Sequence, residues 1–112
     1  MAGIIYFGKN IDPVGYNSIV MRVFGEFIRT YIEMINTEIT KKVYESYDLY
    51  NDSLDFSRLT FDEKIQCYTQ IKKAIEEDLD NIDDFYNEFP KNIIHDAWHK
   101  EIKPKMKILI QL

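Results

Sequence analysis

The feature that most constrains this chain is a run of apolar residues at three- and four-residue spacing: Ile19, Val20, Val23, Phe24, Phe27, Ile28, Tyr31, Ile32 and Ile35. A helix places all of them on one broad face, which must then be buried against something else. The same period continues through Ile39, Val43 and Tyr47, with Asn36 and Thr37 marking a kink or break, and the turn formers Asn51, Asp52, Ser53 and Asp55 ending it. At 112 residues, with 46% hydrophobic and 29% charged residues, the chain can build the core that such a helix needs and lies far from the composition of disorder.

The remaining elements are read around that helix. Residues 3–7 are β-branched and aromatic and precede Gly8, Asn10, Asp12, Pro13 and Gly15, so a short strand followed by a loop is expected. Thr60 and Glu63 have the spacing of a capping box, opening a helix whose stripe is Phe61, Ile65, Tyr68, Ile71, Ile75, Leu79 and Ile82. Asp83 caps a short turn holding Phe85 and Phe89, and Pro90 fits the first turn of a third helix through Ile93, Ile94, Ala97 and Trp98. Pro104 is expected to end that helix. Beyond it Met106, Ile108, Ile110 and Leu112 alternate with Lys105, Lys107 and Gln111, the period of a half-buried strand. The expectation is one mainly helical α+β domain over residues 1–112, with about three helices between short N- and C-terminal strands that pair in a small sheet. Phe24, Phe27, Ile28, Tyr31, Ile65 and Ile75 are expected to share its core.

The chemistry-bearing residues argue against catalysis. Cys67 is the only cysteine, so neither an intrachain disulfide nor a thiolate metal cluster can form, and with no His within twenty residues it reads as a small buried hydrophobe. His95 and His99 are four apart on the third helix, but Asp96 stands where a zinc protease would carry Glu, and Glu101 is the only further ligand in view. No metal site, phosphate loop, nucleophile elbow or dinucleotide fingerprint is expected, and therefore no cofactor. The apolar runs at either end are too short for a signal peptide or for the roughly 20 residues of a bilayer span, which predicts a cytoplasmic location without membrane contact.

Charge supplies the positive signal. Glu76, Glu77, Asp78, Asp80, Asp83 and Asp84 fall within nine residues, at a helix end where the macrodipole would favour cations by about 0.3–1 kcal/mol each. Such a run is either a solvated face or a surface for a basic partner, and the aromatic stretch Tyr44, Tyr47 and Tyr50 offers further anchors. Calcium is disfavoured, because the alternating ligands and Gly of an EF-hand are missing. Lys100, Lys103, Lys105 and Lys107 are too few, beside so acidic a segment and a net charge of −5, to make a nucleic-acid footprint. They read as solubilising a helix end and guarding an edge strand.

In size, acidity and richness in Tyr, Asp and Glu over its whole length, the chain resembles the small acidic immunity proteins of bacterial contact-dependent growth inhibition systems. That resemblance implies a protein that binds and blocks a cognate toxin domain, and it assigns no site residue, because such proteins differ widely in fold. The leading expectation is thus an acidic protein-binding module, an immunity protein or antitoxin for a basic toxin domain. A structural or regulatory homo-oligomeric subunit, such as a homodimer, comes second, and a metal-dependent enzyme using His95 and His99 comes last.

Overall fold

A computed structural model describes residues 2–49 and 53–111. Its order is β1 (Ala2–Tyr6), β2 (Val14–Asn17), α1 (Ser18–Glu33), α2 (Thr37–Leu49), β3 (Ser53–Asp55), α3 (Phe61–Lys73), α4 (Lys91–Asp96) and α5 (Lys103–Ile110). The architecture is a mainly helical α+β fold with a three-stranded sheet in the order β2-β1-β3.

Helix α1 organises the molecule. The Val20 amide donates to Asn17 Oδ1 at 2.9 Å, an N-cap that turns the chain directly from β2 into the helix. Met21, Phe24, Ile28 and Ile32 are buried along its inner stripe, and the helix rests on β1, β2, α2 and α3. Asn36 then caps α2, its Oδ1 accepting from the Ile39 amide at 2.8 Å, which is the break anticipated at Asn36 and Thr37. The capping box of α3 is complete: the Glu63 amide donates to the Thr60 hydroxyl at 3.2 Å, and the Thr60 amide donates to Glu63 Oε1 at 2.8 Å.

Three expectations are overturned. The sheet partners of β1 are β2, antiparallel with Ile5 opposite Val14, and β3, parallel with Ile5 opposite Leu54. Both come from segments that read as loop, because Gly15, Ser53 and Asp55 masked strands of four and three residues. Secondly, Pro104 ends nothing. From Ala97 to Ile102 the helix widens into a π-turn, closed by the Lys103 amide donating to the Trp98 carbonyl five residues back, and Pro104 sits in the first turn of α5 just beyond. A proline ring clashes with the carbonyl four residues earlier and has no amide to give, and a widened turn upstream relieves both problems. The C-terminal segment is therefore helix and not strand. Its buried residues are Ile102, Met106 and Leu109, a helical stripe that the alternation of Met106, Ile108 and Ile110 concealed. Thirdly, Ile65 is 37% exposed, and Tyr31 is only half-buried, whereas Phe24, Phe27, Ile28 and Ile75 lie in the core as expected. The inner face of α3 carries Cys67 and Ile71 instead, and it packs against α1 and α5.

A second π-turn, Ala74–Asp78, follows α3 and faces the first. Between them Trp98 is fully buried, and its indole N–H donates to Glu76 Oε2 at 2.8 Å. Lys103 Nζ donates to the same oxygen at 2.7 Å, and Lys72 lies 3.5 Å from Oε1. Burial works against the charge on Glu76, but the hydrogen bonds from Lys103 and Trp98 and the nearby lysines outweigh it and bring the carboxyl from its ordinary 4.5 to about 2. Because the folded value is the lower one, this contribution to stability is complete above about pH 4.5 and is lost as pH falls towards 2. Glu76→Ala should cost about 2–3 kcal/mol in urea denaturation, since it strands a buried indole donor. Glu76→Gln should cost less and should flatten the decline in stability between pH 4.5 and 2. An unchanged acid limb in Glu76→Gln would show that Glu76 does not carry it.

Candidate acidic interface

The six carboxylates of the acidic run divide into two sets. Glu76 is tied to Trp98 and Lys103, and Asp78 accepts from the Tyr31 hydroxyl at 2.7 Å and from Lys73 at 3.0 Å. Those two bonds hold Asp78 below the usual carboxylate range, while burial and the same Tyr31–Asp78 bond push the Tyr31 hydroxyl up to about 12. Cations and donors from other elements thus offset the unfavourable helix-end placement. Asp80 is exposed and meets His95 Nε2 at 2.8 Å. Glu77, Asp83 and Asp84 are exposed, and among the described residues none of the three has a cation within ion-pair distance.

Asp83 and Asp84 lead into the most unusual backbone of the protein. Asp84, Tyr86, Asn87 and Glu88 have φ of 50°, 44°, 57° and 62°, so the last three form a left-handed turn in succession. That conformation costs an L-residue roughly 1–2 kcal/mol, and only Asn tolerates it with ease. The turn is closed by the Phe89 amide donating to the Phe85 carbonyl at 2.8 Å, and it is anchored by the buried Phe85 ring. Phe85 packs edge-on against Phe27 at 5.2 Å, Phe27 against Tyr31 at 5.6 Å, and Tyr86 against Phe85 at 4.8 Å. A continuous chain of four rings therefore runs from α1 to Tyr86, which is 45% exposed.

These rings line a groove of about 370 Å³ between α1 and the turn, bordered by Glu26, Thr30, Ile82 and Asp84. Burial, reinforced by the Glu26 charge, raises the Tyr86 hydroxyl pKa. On the other flank of α1 a smaller groove of about 300 Å³ is bordered by Glu33, Lys41, Glu45 and Asp48. Arg29 joins the two flanks: its guanidinium forks onto Asp48 at 2.9 and 2.6 Å, stacks over the Tyr44 ring at 4.6 Å, and lies 3.6 Å from Glu26.

Of the tyrosine stretch, neither Tyr44 nor Tyr47 is exposed. Tyr44 is buried, with its hydroxyl donating to the Gly25 carbonyl, and therefore belongs to the core and not to a surface. Tyr47 is half-buried edge-on to Tyr44, and its ring lies so close to Gly25 that a β-carbon there would meet it at 2.9 Å. Tyr50 lies outside the described residues. The residues that sequence reasoning missed are Glu26, Tyr86 and Glu88. Asn87, suited to a left-handed turn and followed by Glu88, was the one signal that could have found the turn.

Other chemistry is sparse. His95 and His99 stack at 5.8 Å, and among the described residues no three His, Cys, Asp or Glu side chains converge as a metal would require. Burial pushes the Cys67 thiol up to about 12, well away from a reactive thiolate. No described helix is long and apolar enough to cross a membrane. The basic C-terminal residues lie on helix, with Lys103 committed to Glu76 and Lys100 3.7 Å from Asp96, so they guard no strand edge.

Replacing Glu88 with Gly should stabilise the protein by about 0.5–1 kcal/mol, because glycine adopts positive φ without the steric penalty. Urea denaturation would measure the gain, and a loss would show that position 88 is not left-handed in solution. No family model matches the chain, and no curated protein or solved structure matches it.

Proposed function

We propose that this chain is an acidic binding protein that engages a basic protein partner, and that in its specific form it is an immunity protein or antitoxin that blocks a toxin domain. The observation that carries the reading is the left-handed turn, which displays Asp83, Asp84 and Glu88, without cation partners among the described residues, beside an exposed tyrosine and an aromatic groove. A protein held together only by its core has no need of such a turn. Its strain is tolerated because Phe85 and the Phe89 amide overdetermine it, and strained loops of this kind concentrate where a surface is used. A turn whose backbone is already held in one conformation costs little backbone ordering on binding, and a field of one sign speeds the encounter with a basic partner. The role requires no cofactor and no catalytic group.

A second reading, a homo-oligomeric subunit, is favoured by a different surface. Met34 and Ile65 are exposed and, with Ile35, line a depression between the end of α1 and α3. Sedimentation velocity separates the two: a concentration-dependent dimer lost in Met34→Lys/Ile65→Lys supports the second.

The first reading is tested by kinetics. The protein encoded beside this one is purified with any toxin domain it carries, and association is followed by stopped flow. The association rate should fall about tenfold or more between roughly 20 and 300 mM salt, since exposed charges are screened within a Debye length. Asp83→Asn/Asp84→Asn/Glu88→Gln should slow association and leave dissociation and the melting temperature nearly unchanged. Glu76 and Asp78 stay native in this variant because both hold internal bonds. Association that ignores salt and the triple variant would reduce the acidic turn to a solvated face.

A further inference from the structure

We propose that the groove between α1 and the left-handed turn takes a single arginine side chain from the basic partner, an inference that rests on the partner-binding reading above. The walls are aromatic and aliphatic, supplied by Phe27, Tyr31, Ile82, Phe85 and Tyr86, and they suit the apolar stem of a long cationic side chain. Glu26 and Asp84 stand at the border, and no Lys, Arg or His is among the residues that line it. Asp84 has no cation partner among the described residues. Among the described residues Glu26 has only Arg29 at 3.6 Å, and that guanidinium is already forked on Asp48 at 2.9 and 2.6 Å. The groove therefore holds one carboxylate with no cation partner among the described residues and one that shares its only described cation with Asp48.

Charge and shape together select the occupant. An apolar ligand would desolvate two carboxylates without replacing their hydration, and an anion would be repelled. Two carboxylates alone are too few for a metal, and among the described residues no third ligand converges on them. About 370 Å³, open to solvent, lies at the lower limit for a small-molecule site and suits one inserted side chain. Arginine is preferred to lysine because its planar, weakly hydrated guanidinium can stack on a ring while forking onto a carboxylate. The protein already holds one guanidinium in this way on the opposite flank of α1, where Arg29 lies 4.6 Å over Tyr44 and is bidentate to Asp48. Tyr86, edge-on to Phe85 and beside Glu26, offers the corresponding ring and charge in the open groove.

The test is a titration of the full-length, nitrogen-15-labelled protein, followed by amide shifts at low salt, with three probes. N-acetyl-arginine amide carries the charge and the plane, N-acetyl-lysine amide the charge alone, and N-acetyl-citrulline amide the plane alone. The arginine probe should give saturable shifts confined to Thr30, Tyr31, Asp84, Phe85 and Tyr86, with a dissociation constant on the order of millimolar for so small a ligand. The lysine and citrulline probes should each bind about fivefold or more weakly, and Glu26→Gln/Asp84→Asn should weaken the arginine probe about tenfold with the rest of the spectrum unchanged. Equal affinity for lysine, or unsaturated shifts spread over every acidic segment, overturns the groove inference, while salt-dependent association of the partner would still stand. Conversely, arginine selectivity in the groove together with partner association that ignores salt overturns the partner reading alone.

Discussion

A buried indole N–H has to find an acceptor, and much of this structure follows from where Trp98 finds one. The acceptor is Glu76, which must then be ionised inside a junction of two helical segments and is held so by Lys103 and Lys72. Satisfying donor, acceptor and cation at one point requires α3 and the α4–α5 helix to meet at fixed heights, and each contributes a π-turn there. A π-turn adds a residue to the helical circuit and so rotates everything beyond it. At the end of the Ala74–Asp78 π-turn Asp78 meets the Tyr31 hydroxyl, and the chain leaves towards α1, where the left-handed turn packs. The exposed acidic surface is in this sense a product of a buried bond elsewhere.

The helices were legible because their signals are local. The stripe of α1, the Asn36 break and the Thr60 capping box each depend on residues within one or two turns, and the structure keeps all three. What was not legible depends on partners distant in sequence. Strands of three and four residues have too little period to stand out, and β3 exists because β1 offers it a ladder. The alternation after Pro104 is a true period of two, yet packing against α3 selected Ile102, Met106 and Leu109 instead. Tertiary contact overrode the local pattern there, with the π-turn removing the proline penalty that had argued for a strand.

The acidic run was visible as composition, but its division was not. Nothing in the spacing of Glu76 and Asp78 distinguishes them from Asp83 and Asp84. The difference lies in Trp98, Lys103 and Tyr31, brought to the first pair by folding. The tyrosines show the reverse case: a stretch that resembled surface anchors contributes Tyr44 to the core, while Tyr86, which no pattern in the sequence singled out, ends an aromatic chain at the surface.

The parallel pairing of β1 with β3 has a consequence for how the chain assembles. Ile4 and Ser53 are about fifty residues apart, and their ladder gains nothing until the loop between them has closed. That intervening stretch contains β2, α1 and α2, whose own contacts are mostly between neighbours in sequence. The hairpin and the two helices can consolidate first and carry the ends of the ladder together, so β3 joins a surface that already exists. Until it does, β1 presents one unpaired edge. A nascent chain still short of Ser53 is therefore the species most exposed to strand pairing with another copy of itself.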